Sequence, residues 1–150
     1  MNDVRPTRTP APIDPRGPRF NQAILAGGLL AGFLFDAQWV PPVFAVVLFL
    51  GAAFGPRYGP FLRLYADVVK PRLRPPSELE DPRPPRFAAA VGVVFLVAAS
   101  LAFVAGAVGL GWALALIVAA LAALAAVTGI CVGCEVWLML ARWRGVETVA

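Results

Sequence analysis

Two long stretches of this chain are almost free of charge. From Phe20 to Gly55 the only charged residue is Asp36, and from Phe87 to Ala141 the only one is Glu135. Apolar runs of this length do not present the polar face that a soluble helix or strand needs. In lipid every backbone N–H and C=O must be satisfied within the segment or a closed barrel, and the lengths here suit helices. The composition follows suit: 59% of side chains are hydrophobic and 15% charged, against about 45–50% and about 25% in soluble domains. A chain of 150 residues has room for roughly four spans of about 20 residues, and none for a separate soluble catalytic domain.

These runs predict an all-α integral membrane four-helix bundle. Its helices are expected over about 20–39, 41–58, 87–109 and 112–134. Pro41 and Pro42 suit a first helical turn, where a missing N–H costs little, and Gly109-Leu110-Gly111 is read as the turn before Trp112. Residues 1–19 hold five prolines and four arginines and read as a disordered arm, with residues 20–150 as a single membrane domain. The first apolar run is retained as a span, because Phe35-Asp36-Ala37-Gln38-Trp39 offers no small-x-small cleavage site. Between the second and third spans, Phe61, Leu62, Leu64, Tyr65, Val68 and Val69 recur at helical spacing opposite Arg63, Asp67 and Lys70. That pattern predicts an interfacial helix at about 60–70, with a second at 136–143.

All 13 basic residues fall on one side of this layout. Arg5, Arg8, Arg16 and Arg19 precede the first span; Arg57, Arg63, Lys70, Arg72, Arg74, Arg83 and Arg86 lie between the second and third; Arg142 and Arg144 follow the fourth. The positive-inside rule then makes this a multi-pass cell-membrane protein with both termini cytoplasmic. The net charge of +4 speaks to topology and the lipid bilayer, so nucleic acid is not an expected partner.

A motif recurs. Asp14-Pro15-Arg16-Gly17-Pro18-Arg19-Phe20 returns as Asp81-Pro82-Arg83-Pro84-Pro85-Arg86-Phe87, differing only at the fourth position. Each copy precedes a helix pair, so both pairs enter from the same side and form two parallel hairpins. Proline starts a helix, arginine meets headgroups and phenylalanine enters lipid; alternatively Asp14, Arg16, Arg19, Asp81, Arg83 and Arg86 form a docking motif. Gly55-x-x-x-Gly59 and Gly129-x-x-x-Gly133 extend the alignment, matching Cys131 and Cys134 to Arg57 and Pro60.

The chain lacks histidine, which excludes Ser-His-Asp and Cys-His catalysis, HExxH zinc sites and imidazole relays. Its two cysteines form one Cys-x-x-Cys in Gly129-Ile130-Cys131-Val132-Gly133-Cys134-Glu135. On a continuous helix from Trp112 they lie roughly 29 to 33 Å along, at the cytoplasmic edge, at about 1.5 Å per residue. Gly129 and Gly133 then share a packing face, with Cys131, Cys134 and Glu135 broadly opposite. Three readings stand together. In thiol redox or sulfur relay one cysteine attacks and the other resolves, with Glu135 as proton acceptor. A soft-metal site needs Glu135 or a second copy in a homo-oligomer to complete its ligands. In a non-catalytic scaffold the cysteines merely pack. No motif specifies a cofactor or a metal. Asn21, Gln22, Ser100 and Thr128 are scattered or terminal, which disfavours transport of a polar solute.

The chain resembles a bacterial membrane-protein family, common in actinobacteria, known as domain of unknown function 4395. The resemblance rests on Ile13 to Phe20, on Val69 to Phe87 and on Gly129 to Trp137. It implies an integral membrane protein with cysteines near the end of the last span. Members accompany thioredoxin-like or rhodanese-like proteins, so the resemblance implies such a partner and thiol or sulfane-sulfur chemistry.

Overall fold

The computed structural model describes residues 11–55 and 58–145. These form six helices and, among the described residues, no strand: α1 (Arg16–Leu34), α2 (Val40–Phe54), α3 (Pro60–Leu64), α4 (Arg83–Val104), α5 (Val108–Thr128) and α6 (Val132–Trp143). Positions 1–10 of the expected arm, with Arg5 and Arg8, and Arg57 in the central stretch, lie outside the described residues.

The helices begin earlier than hydropathy alone suggests, because the repeated motif is itself a helix start. The Arg16 N–H donates to Asp14 Oδ1 at 2.9 Å, and the Arg83 N–H donates to Asp81 Oδ1 at 2.9 Å. The first N–H groups of a helix have no partner within it, so the prolines that follow cost nothing there. Arg16 and Arg19 therefore belong to α1, not to a disordered arm ending at residue 19, and Arg83 and Arg86 belong to α4. Just upstream, Ile13 and Glu80 exchange backbone hydrogen bonds of 2.9 Å and tie the two motifs together.

The two hairpin turns are short. Asp36, at φ 48°, turns the chain between α1 and α2, and its carboxylate accepts the Trp112 indole N–H at 2.9 Å. Between α4 and α5 the turn falls at Ala105–Ala107, earlier than the expected Gly109-Leu110-Gly111, which lies inside α5. Gly111 serves packing there: a methyl group would come within 2.6 Å of the Phe103 ring.

The expected interfacial helix at 60–70 is wound three ways: α3 runs into a wide π turn at Tyr65–Val69 and a tight 3-10 turn at Lys70–Arg72. Tyr65 anchors it to the start of α1. Its hydroxyl donates to Asp14 Oδ2 at 3.1 Å and its ring lies 5.7 Å from that of Phe20. Burial and the Asp14 carboxylate raise the Tyr65 pKa above the ordinary phenol value.

In the interior α1 packs on α5, and α4 on α2, α5 and α6. Leu29 and Leu96 are fully buried among Ala99, Ala115 and Ala119, small residues that let helix backbones approach closely. The outer surface is apolar, with Leu34, Val94, Leu101, Val104 and Val127 exposed. Helices α4 and α5 are long and apolar enough to cross a bilayer, with only 17% and 39% of their most apolar stretches buried; a core helix of a soluble protein would be mostly covered.

Candidate functional site

The site begins where α5 stops. Gly129 adopts the left-handed conformation at φ 78° and donates its N–H to Ala125 O at 2.9 Å, the usual glycine termination of a helix. Thr128 seals the end, donating to Leu124 O at 2.6 Å and accepting the Ile130 N–H at 3.2 Å. The chain extends through Cys131, at φ −94° and ψ 110°, and coils again as α6 from Val132.

This break corrects the expectation of one helix over 112–134. The cysteines do not sit on the flank of a spanning helix: Cys131 is the N-cap of α6 and Cys134 lies in its first turn. Gly129 and Gly133 do not share a face, since one ends α5 and the other sits inside α6. Nor do the two glycine pairs correspond as aligned: Gly55 ends α2 as Gly129 ends α5, but Gly59 caps α3 at the place that Cys131 takes in α6. Gly133 does pack, for a methyl group there would come within 2.7 Å of the Ala88 Cβ and 2.9 Å of its Cα.

Both thiols are free and half-buried. Across the helices, Gln22 of α1 donates from Nε2 to the Cys131 Sγ at 3.7 Å. The Cys131 pKa is lowered to about 6, first by the Cys134 thiol and then, against the opposing effect of burial, by the N–H of Cys134, Gln22 and the N–H of Gly133. Cys131 stands at the start of α6, where the first N–H groups have no partner within the helix. Cys134 moves the other way: its proton is held by Cys131, burial disfavours its thiolate, and the charges of Cys131, Glu80 and Glu135 add to that. Glu135 is exposed, and its charge is one of those that disfavour the Cys134 thiolate. Among the described residues no group of three or more Cys, Asp or Glu side chains gathers to hold a metal.

A cavity of about 300 Å³ opens beside Cys131 between the long helices. Its lining includes the polar Gln22, Asn21 and Arg86 and the apolar Leu25, Leu48, Phe95 and Val118.

Of the six residues read as headgroup contacts or a docking motif, five meet a distant part of this chain, and Asp81 pairs with Arg83 of its own motif. Asp14 accepts from Tyr65, and Arg16 donates to Arg74 O at 3.1 Å. Asp81 and Arg83 form an ion pair of 2.7 Å, with the Arg83 guanidinium 5.6 Å over the Trp137 ring. Although burial works upward, Arg83 holds the Asp81 carboxyl below its ordinary value. Arg86 donates to Ala52 O at 2.9 and 3.0 Å and to Ala53 O at 3.1 Å, capping the C-terminal end of α2. Arg19 lies likewise at the end of α5, where a methyl group on Gly129 would come within 2.8 Å of its Nη2. A cation at a helix C-terminus meets the negative end of the dipole.

The model of domain of unknown function DUF4395 matches residues 13–142 of this chain. The chain belongs to the DUF4395 family. No curated protein and no solved structure matches it. The DUF4395 match takes in both Asp-Pro-Arg motifs and both cysteines, and its description assigns no activity, so chemistry must be argued from the site. Two residues of that site, Gln22 and Glu80, escape sequence reasoning. The signal for Gln22 was an amide in an otherwise apolar helix; Glu80 carries none, because only the Ile13 pairing brings its strand-like segment alongside.

Proposed function

We propose that this DUF4395 protein is a multi-pass membrane dithiol–disulfide exchanger, with Cys131 as attacking thiol and Cys134 as resolving thiol. The observation that carries the reading is the position of Cys131 as N-cap of α6, with Cys134 in its first turn and the Gln22 amide donating to the Cys131 sulfur. A thiolate at a helix start, in a Cys-x-x-Cys, is the arrangement that lowers a thiol pKa towards neutrality. The Cys131 thiolate attacks one sulfur of a partner's disulfide, forming a mixed disulfide and releasing the partner's other sulfur as thiolate. Cys134, losing its proton to solvent, attacks the Cys131 sulfur; the Cys131–Cys134 bond forms and the partner leaves as a dithiol. Both electrons pass to the partner, a thioredoxin-like soluble protein in our reading. Glu135 favours the protonated form of Cys134.

The membrane placement rests on the exposed apolar surfaces of α4 and α5 and on the described basic residues, which all lie away from the two hairpin turns. That distribution supports four spans, α1, α2, α4 and α5, with both termini cytoplasmic. Two equivalent halves explain why Arg19 and Arg86 sit at the ends of α5 and α2 respectively, each at the second helix of the other half.

The test is labelling of intact cells and inverted vesicles with a membrane-impermeant maleimide, with and without reductant. We expect labelling only in inverted vesicles, increased by reductant and lost in Cys131→Ser. Cys134→Ser should accumulate a mixed disulfide with the partner. Absence of label on both sides after reduction, or a Cys131→Ser, Cys134→Ser double variant that retains full function in cells, would overturn the reading in favour of a packing scaffold.

A further inference from the structure

The cavity beside Cys131 asks for an occupant of its own. On α4 its lining runs from Pro85 to Phe95, a length of roughly 15 Å at about 1.5 Å per residue, or about half the hydrocarbon layer. Val91, Ile117 and Leu121 line it and are also exposed on the outer apolar surface, so it opens towards lipid. Its volume of about 300 Å³ is at the small end of ligand pockets, at roughly 300–1,000 Å³. The Gln22 amide, which meets the Cys131 sulfur, and that of its neighbour Asn21 are among the lining groups, and both are suited to donate to carbonyl oxygens. The depth is hydrocarbon, and offers an alkyl or isoprenoid tail nothing but apolar contact.

We infer that this cavity seats the ring of a membrane-dissolved quinone beside Cys131, with its tail running out into lipid. The inference rests on the exchange reading, run in the direction in which a partner's dithiol reduces the Cys131–Cys134 bond and leaves as a disulfide, and it supplies the membrane-phase oxidant that takes those two electrons. The amides of Gln22 and Asn21 orient the ring carbonyls. The reduced pair gives up two thiol protons and two electrons, and the S–S bond forms between Cys131 and Cys134. The quinone takes two electrons and two protons and leaves as quinol. A phospholipid acyl tail would fill the same apolar depth, but it has no carbonyl ring to meet two amides and accepts no electrons.

The test uses the full chain, reduced, in lipid nanodiscs under anaerobic conditions. A fully substituted short-tailed benzoquinone is the probe, because its ring has no free carbon–hydrogen position for thiol addition. Quinol formation is read by ultraviolet absorbance, and the Cys131–Cys134 bond by loss of two maleimide-reactive thiols; diamide, a small diffusible oxidant, is run in parallel. We expect quinone-dependent oxidation to saturate with quinone concentration and to be competed by a redox-inert quinol ether. Leu121→Trp, which adds bulk to the lipid-side wall, should lower the ratio of quinone to diamide rates at least tenfold. If diamide forms the bond while quinone oxidation neither saturates nor is competed, the quinone site is overturned and the exchange reading stands. If diamide cannot form the Cys131–Cys134 bond, both fall. Should Leu121→Trp fail to fold, saturation and competition in the unaltered protein decide.

Discussion

Gln22 and Cys131, 109 positions apart in the chain, meet across the helices with 3.7 Å between Nε2 and Sγ. The contact joins the first helix to the first turn of the last, and it gives the thiolate a donor from outside its own helix. Replacing Gln22 by Leu removes that donor without charge, and a thiolate that loses a hydrogen bond becomes the less favoured form. We expect the iodoacetamide reaction of Cys131 at pH 6 to slow about two- to threefold, with its midpoint moved to higher pH.

The pH profile of the unaltered protein separates the two thiols. Cys131 should alkylate with a midpoint of about 6, well below an ordinary thiol at about 8.5, while Cys134 stays unreactive through the neutral range. The Cys134 thiol is the largest influence on Cys131, so Cys134→Ala should move the midpoint upward. Cys134→Ser, which keeps a donor, should move it less. The measurement is initial alkylation rate against pH with mass-spectrometric assignment of the labelled cysteine; a midpoint near 8.5 in the unaltered protein would refute it.

Gly129 and Gly133 should fail by different mechanisms. Gly129→Ala places a side chain at φ 78°, which costs about 1–2 kcal/mol, and brings its methyl group against Arg19. Gly133→Leu drives a larger group into the Ala88 backbone, and overpacking of this kind costs about 1–3 kcal/mol. Thermal unfolding in nanodiscs should show a lower Tm for both. Only Gly133→Leu should also free α6 from α4, seen as faster amide exchange across Val132–Trp143.

Arg86→Met removes a guanidinium from the Ala52 and Ala53 carbonyl groups but keeps much of the side-chain stem. Hydrogen bonds to charged groups contribute about 1.5–3 kcal/mol, and that much loss of stability is expected, with Arg86→Lys retaining part of it. Arg72→Met, at an exposed position, should change stability by less than about 0.5 kcal/mol. Equal effects of Arg86→Met and Arg72→Met on chemical unfolding would argue against the capping role.

The apolar runs after Phe20 and Phe87, the repeated motif at Asp14 and Asp81, and the absence of histidine can all be read along the chain. They depend on side-chain chemistry and local turn geometry. The break before Cys131 is harder to see. From Trp112 to Ala141 hydropathy is nearly continuous, and glycine at four-residue spacing is equally at home in a packing face and at a helix end. What separates these is a backbone dihedral, which hydropathy does not register.

The sequence by itself determined that this is an apolar helical chain with one thiol pair and one twice-repeated Asp-Pro-Arg motif, because composition and short motifs act locally. Tertiary structure decided what those parts do to each other. Arg19 of α1 lies against Gly129 where α5 ends, and Ala88 leaves room only for a glycine in α6. Gln22 reaches the Cys131 sulfur, while Glu80 adds its charge to Cys134. Each is a contact between residues far apart in the chain, set by which helix faces pack together, and these contacts make the two thiols chemically unequal.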